Sequence, residues 1–177
     1  MVDRSQQQDA RAGGAKNAAP RWPAAPQGYA LRLALPADAP ALESLMRDYF
    51  AELGLAPDPG GLDADLAGAG QGYLRGGMVL LCRQGRAVGC VGLRELESGV
   101  GEIKRMYLAP AHRGGGRGRL LLEAVLCLAR ERGMRRLFLD TRRDLKAANA
   151  LYEAAGFRDT SDYNANPRAQ RFMVLEL

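Results

Sequence analysis

Residues 108–119 read Leu108-Ala-Pro-Ala-His-Arg-Gly-Gly-Gly-Arg-Gly-Arg119, a proline turn followed by four glycines in five positions. Before it, Gly101-Glu-Ile-Lys-Arg-Met-Tyr-Leu108 reads as a strand closed by Pro110. After it, Gly116 to Arg132 places Leu121, Val125 and Leu128 at spacings of three and four, which predicts an amphipathic helix ended by Gly133. A strand, a glycine turn and a helix start therefore meet at one point. Amide N–H groups converge there, glycine lets a ligand approach the backbone closely, and the helix contributes the positive end of its dipole. Arg113, Arg117 and Arg119 add full charges. The combination suits a phosphate or pyrophosphate, although a glycine run also serves as a plain flexible turn. It is no nucleotide-hydrolysing P-loop, because Gly118-Arg119-Leu120 stands where Gly-Lys-Ser/Thr is needed. It is no dinucleotide fingerprint either, because Leu121 replaces the third glycine.

Working outward, Tyr29-Ala-Leu-Arg-Leu-Ala-Leu35 alternates as a strand. Asp38 is a candidate N-cap for a helix carrying Leu42, Leu45, Met46, Tyr49, Phe50 and Leu53, with Gly54 as its stop. Ala56 to Gly77 is loop-like, with at most a short helix around Asp63 to Ala67. Two β-rich runs flank Gln84-Gly85, a hairpin signal. Arg135 to Thr141 reads as a strand, Leu145 to Ala155 as a helix stopped by Gly156, and the C-terminal stretch as two short strands. The order β-α-β-β-β-α-β-α-β-β predicts a mixed α/β domain. Residues 1–28, rich in Gln, Ala, Gly and Pro, are expected to be a disordered tail. Residues 29–177 are expected to form the domain.

The chain of 177 residues is 47% apolar, long enough for one sizeable core. It has no stretch suited to a membrane span, no signal-peptide pattern and no Gly at position 2. Cys82, Cys90 and Cys127 sit in apolar runs and read as reduced core residues. A single histidine, His112, leaves no zinc-ligand spacing, so no metal is expected and His112 reads as a surface residue. The expected location is the cytoplasm. Arginine outnumbers lysine 22 to 3, a bias that together with abundant Ala and Gly hints at a bacterial source. The net charge is +5, yet residues 101–146 alone hold 12 basic and 5 acidic side chains. Nucleic acid would also explain such a segment. Its only aromatics are Tyr107 and Phe138, however, which offers little for base stacking.

The chain resembles the GNAT superfamily of N-acetyltransferases over residues 29–177. The likeness is densest in three blocks: Glu102 to Gly133, Arg135 to Thr141, and Ala147-Ala-Asn-Ala-Leu-Tyr-Glu-Ala-Ala-Gly-Phe157. It implies a GNAT-like, mostly antiparallel twisted sheet flanked by helices, with splayed central strands. It also implies acetyl-CoA as acyl donor, held by the main chain of Met106, Tyr107 and Leu108 and by the turn Arg113, Gly114, Gly115, Gly116, Arg117, Gly118 and Arg119.

Tyr152 stands where a tyrosine commonly protonates the departing thiolate, although it also continues the apolar stripe Leu145, Ala148, Leu151. A phenol of pKa about 10 can donate to a thiolate of pKa about 8.5. Glu102, eleven residues before Arg113, is the candidate base, but it could equally pair with Lys104, Arg105 or a neighbouring strand. Asp140 is a weaker candidate for the base and reads rather as a residue that positions a loop or an arginine. Leu145 occupies the place where many relatives carry Asn, and Asn149 stands three residues before Tyr152. The acceptor-binding regions are expected at Ala56 to Gly77 and Tyr163 to Arg171, with no recognisable substrate pattern. The implied reaction is direct transfer to a small-molecule or peptide amine. A homodimer is possible, and neither nucleic acid nor membrane is an expected partner. The alternatives are a non-catalytic acyl-CoA-binding module and an RNA-binding domain.

Overall fold

The computed structural model describes residues 21–61, 63–66 and 77–177. Most of the expected tail, residues 1–20, lies outside the described residues. Residues 21–28 were expected to belong to that tail, but they lie against the domain. Trp22 and Ala25 pack on the main core, and the Arg21 amide donates to Glu131 at 2.7 Å.

The chain begins with β1 (Tyr29–Leu33), a 3-10 turn (Pro36–Asp38) and α1 (Ala39–Leu53). A second 3-10 turn (Ala64–Leu66) is the short helix expected in that loop, and β2 (Gly77–Arg83), β3 (Arg86–Glu97) and β4 (Val100–Leu108) follow. Next come α2 (Arg117–Glu131), β5 (Arg136–Thr141), α3 (Lys146–Ala154), β6 (Arg158–Asp159) and β7 (Arg171–Glu176). Gln84 and Gly85 adopt positive φ (49° and 77°), as the tight β2–β3 hairpin requires. Gly54 ends α1 in the left-handed region, its amide bonding back to Ala51. Asp38 does stand at the start of α1, but its carboxylate goes to Arg32 (2.6 Å) and to the Leu35 amide (2.8 Å), not to a helix amide. The Arg32 guanidinium holds its pKa down at about 2.

The strands form one sheet in the order β1-β2-β3-β4-β5-β7-β6, antiparallel except for β4 beside β5. Side chains alternate between the faces, and both faces are covered. One face buries Val79, Leu81, Val91, Leu93, Ile103, Leu137 and Leu139 against Leu121, Leu122, Val125 and Leu128 of α2. The other sets Leu80, Cys82, Cys90 and Tyr107 against Leu42, Leu45, Met46 and Phe50 of α1. Among the described residues no helix is long and apolar enough to cross a membrane.

Candidate active site

The site begins where the parallel pair ends. β4 and β5 are in register from Val100↔Arg136 to Ile103↔Leu139, and no further. Beyond that point β5 continues with β7 (Asp140↔Phe172, Thr141↔Arg171), and β4 continues with β3. The register between β3 and β4 slips by one residue between Cys90↔Tyr107 and Gly92↔Lys104. The extra residue lies in β4, where Arg105 takes φ +56°. A bulge of this kind bends its strand, and a non-glycine residue holds left-handed geometry only when its surroundings impose it. Here the restraint is a buried charge network. Arg105 bonds Asp63 at 2.9 Å and lies over the Phe50 ring, and Arg168 bonds the other oxygen of Asp63 at 2.9 Å. Burial raises the Asp63 pKa, but the Asp58 amide and the two guanidiniums outweigh it, so the carboxyl sits below its usual range.

The gap between the diverging strands opens into a cavity of about 110 Å³. β4 contributes Lys104, Arg105 and Met106, β5 contributes Asp140, and α3 contributes Tyr152. Both expected acceptor segments reach it, through Asp63 on one side and Asn166 and Arg168 on the other. Residues 62 and 67–76 of the first segment lie outside the described residues.

Tyr152 is 7% exposed, and its hydroxyl points to the Met106 sulfur at 3.7 Å. A thioether is a weak acceptor, which leaves the phenolic proton available. Burial pushes the Tyr152 pKa well up, with Tyr49 and Asp140 adding to the effect, so the neutral phenol is the resting form. The apolar-stripe reading also holds, because Tyr152 belongs to the main core and stacks edge-on with Phe157.

Glu102 is fully buried and does not line the cavity. Its oxygens are held by Arg94 (2.5 Å), Tyr163 (2.8 Å) and Asn164 (3.1 Å), with Lys104 at 3.9 Å. The Asn164 amide also bonds Asp140 at 2.6 Å, and Asn166 bonds the same Asp140 oxygen at 3.2 Å. Asp140 thus positions the 163–170 loop, as expected, although through asparagines and not an arginine. Asn149 is buried and donates to the Arg142 and Leu145 carbonyls, closing the start of α3.

The glycine turn lies at the start of α2. Gly114, Gly115 and Gly116 all have positive φ (78°, 55° and 76°), and a Cβ at Gly114 or Gly116 would meet only open space. The amides of Gly114, Gly115, Gly116, Gly118 and Arg119 take no acceptor from the described residues. Arg117 braces the turn, donating to the His112 and Arg113 carbonyls at 2.6 and 3.0 Å. Arg113 is committed elsewhere: it bonds the Leu108 carbonyl and Glu52 and covers the Tyr107 ring. Arg119 pairs with Glu123 at 2.7 Å. Tyr107 and Leu108 turn their side chains into the two cores. His112 hydrogen-bonds Tyr29 at 3.1 Å, away from the cavity. Cys82 and Cys90 are buried and Cys127 is half-buried, and burial pushes the Cys90 thiol up to about 12.

Asp63, Arg168 and Tyr163 are members that sequence reasoning did not single out, and Lys104 and Arg105 entered it only as partners for Glu102. They lie in segments it flagged, but nothing in their local pattern marks them.

A split parallel pair with a row of unpartnered amides at a helix start, and a protonated phenol beside the split, defines an acyltransferase-type α/β domain. The chain belongs to the acetyltransferase (GNAT) family, whose profile matches residues 40–157. YjgM, an uncharacterised N-acetyltransferase of Escherichia coli strain K12, is 37% identical over 140 residues, covering 75% of this chain and 84% of its own. Among solved structures, a GNAT-family acetyltransferase from Staphylococcus aureus MU50 superposes with a TM-score of 0.75 at 19% identity, covering 84% of this chain and 98% of that one. The yncA protein of Salmonella typhimurium, solved with its cofactor acetyl-CoA, does so with a TM-score of 0.66 at 22% identity, covering 85% and 94%.

Proposed function

We propose that the protein moves an acetyl group from acetyl-CoA to an amine by direct attack within one ternary complex. The observation that carries this is the split between β4 and β5, with a neutral phenol on its wall and the glycine turn at the start of α2. The residues present fit the donor. The amides of Gly114, Gly115, Gly116, Gly118 and Arg119, unpartnered among the described residues, match a pyrophosphate, and the β4 edge from Lys104 to Leu108, free of β5, matches an amide-bearing arm. The yncA structure, which holds acetyl-CoA, supports the same assignment.

Acetyl-CoA supplies the thioester. Main-chain N–H groups of Met106 and Leu108 stabilise charge at the carbonyl oxygen. Tyr152 holds its proton at Oη and gives it to the sulfur as the C–S bond breaks and the N–C bond forms. The amine's proton leaves to water at Asp140, the carboxylate that lines the cavity. The base role expected of Glu102 thereby passes to Asp140, because Glu102 is sealed from the cavity and its oxygens are held. Glu102 instead orients Asn164, and through it Asp140. The enzyme is placed in the cytoplasm on this reading, and small-molecule or peptide amines are its acceptors.

The test is thiol release from acetyl-CoA over an amine panel. Tyr152→Phe is expected to lower kcat by about 100-fold or more, and Asp140→Asn by a comparable factor, with acetyl-CoA binding retained in both. Tight acetyl-CoA binding without thiol release for any amine would overturn transfer in favour of a binding module.

A further inference from the structure

The charges lining the cavity are unevenly satisfied, and that unevenness bears on the acceptor. Four cationic side chains line it, Lys104, Arg105, Arg142 and Arg168, against two carboxylates, Asp63 and Asp140. Asp63 is spent: Arg105 and Arg168 take its two oxygens at 2.9 Å each, and the Asp58 amide adds a third bond at 2.7 Å. Arg142 is likewise occupied, by Asp144 and the Leu53 carbonyl.

Asp140 and Lys104 differ. Both bonds to Asp140 reach one oxygen, Oδ2, and both come from neutral amides, Asn164 at 2.6 Å and Asn166 at 3.2 Å. Among the described residues no cation pairs with it. The Lys104 side chain is only 12% exposed and, among the described residues, makes no hydrogen bond. Its one charge contact among the described residues is Glu102 at 3.9 Å, and that carboxylate is already taken by Arg94, Tyr163 and Asn164.

The two residues also share a position. Ile103↔Leu139 is the last pair of the parallel ladder, so Lys104 and Asp140 are the next residue on each strand where the ladder parts. One incompletely used charge of each sign therefore flanks the mouth of the split, and the two do not form an ion pair with each other.

We infer that the acceptor is a zwitterion, a small amine that also bears a carboxylate, of the amino-acid type. This rests on the acetyl-transfer reading and narrows it. The ammonium end goes to the open oxygen of Asp140, and the carboxylate to Lys104. A purely cationic amine would add positive charge to a cavity where cations already outnumber carboxylates. A zwitterion adds none.

The experiment measures thiol release with a pool of amino acids, and with matched pools in which the carboxylate is a carboxamide or is absent. A carboxylate pool turned over at least 10-fold more efficiently supports the inference, that factor being the usual worth of a charge-assisted hydrogen bond. Equal or better turnover of the carboxamides, of the decarboxylated amines, or of an unrelated polyamine, aminoglycoside or peptide overturns it while transfer stands. If no amine of any kind releases thiol, the transfer reading falls and takes this inference with it.

Lys104→Gln and Lys104→Arg separate the role of this side chain from general damage. In Lys104→Gln the ratio of kcat/KM between the carboxylate acceptor and its carboxamide collapses towards one, mainly through KM. Lys104→Arg restores most of that ratio. A ratio unmoved by Lys104→Gln overturns the inference.

Discussion

Glu102 and Asp140 stand on neighbouring strands, share Asn164 as a partner, and differ in what they face. Glu102 is a fully buried anion whose partners arrive from β3 and from residues 163 and 164, far along the chain. Removing one member of such a pair leaves the other charge uncompensated. Glu102→Gln is therefore expected to cost about 2–4 kcal/mol, with the isosteric amide keeping part of the network. In a domain of this size that is a drop in Tm of roughly 5–15 °C. Thermal denaturation checks it, and kcat at a temperature where the variant stays folded should fall less than in Asp140→Asn. The reverse ranking would make Glu102 the base. The resemblance pointed to Tyr152 through its helix block and to Glu102 through its spacing to Arg113. What could not be read was which carboxylate meets the cavity. Asn164 bridges Glu102 and Asp140 from a loop whose path depends on the whole fold.

At the scale of elements, period and turn chemistry carried the reading. Alternation marked β1, β-rich runs around Gln84-Gly85 marked the hairpin strands, spacings of three and four marked α1 and α2, and Gly54, Gly85, Gly133 and Gly156 all take the positive φ their turn or helix-stop positions call for. The bulge in β4 had no such mark, since Arg105 is neither glycine nor asparagine and is held left-handed by Asp63, 42 residues away. The splay was expected from the resemblance alone. Its exact start is a property of pairing, ending at Ile103↔Leu139. Gly89 supports this region from β3. A Cβ there would lie 2.9 Å from the Tyr107 carbonyl oxygen and 2.8 Å from Leu108 Cδ1. The leucine can move, but the carbonyl belongs to the β4 main chain beside the bulge. Gly89→Ala is expected to destabilise by about 1–3 kcal/mol, the usual cost of overpacking. It should also raise the KM for acetyl-CoA by shifting the β4 edge. Urea denaturation and the acetyl-CoA KM measure the two effects separately, and a variant as stable as the parent would show that β4 has slack here.

Over the whole molecule, the basic segment 101–146 turns out to serve several places. Arg105 is bound to Asp63, Arg113 to Glu52, Arg136 to Glu176 and Arg142 to Asp144. Around the glycine turn, Arg117 bonds only carbonyl oxygens, and the unpartnered amides supply the rest of the positive character. Charge counting could not show this, because pairing is decided by partners as distant as Glu52 and Glu176. The two aromatics of the segment offer no stacking platform either: Tyr107 is 6% exposed, and Phe138 faces Tyr163 at 4.8 Å between ring centres. A phosphate held by backbone amides is screened less than one held by exposed side chains. Acetyl-CoA at 100 times its Kd should add about 2.7 kcal/mol, which raises Tm by roughly 5–10 °C. Most of that shift should persist in 1 M salt, where the Debye length is about 3 Å, provided the ligand stays far above its Kd. Single-stranded RNA should give no shift even in low salt. A shift that vanishes in salt would return the binding to exposed arginines, and an RNA shift that acetyl-CoA does not match would reverse the choice of anion.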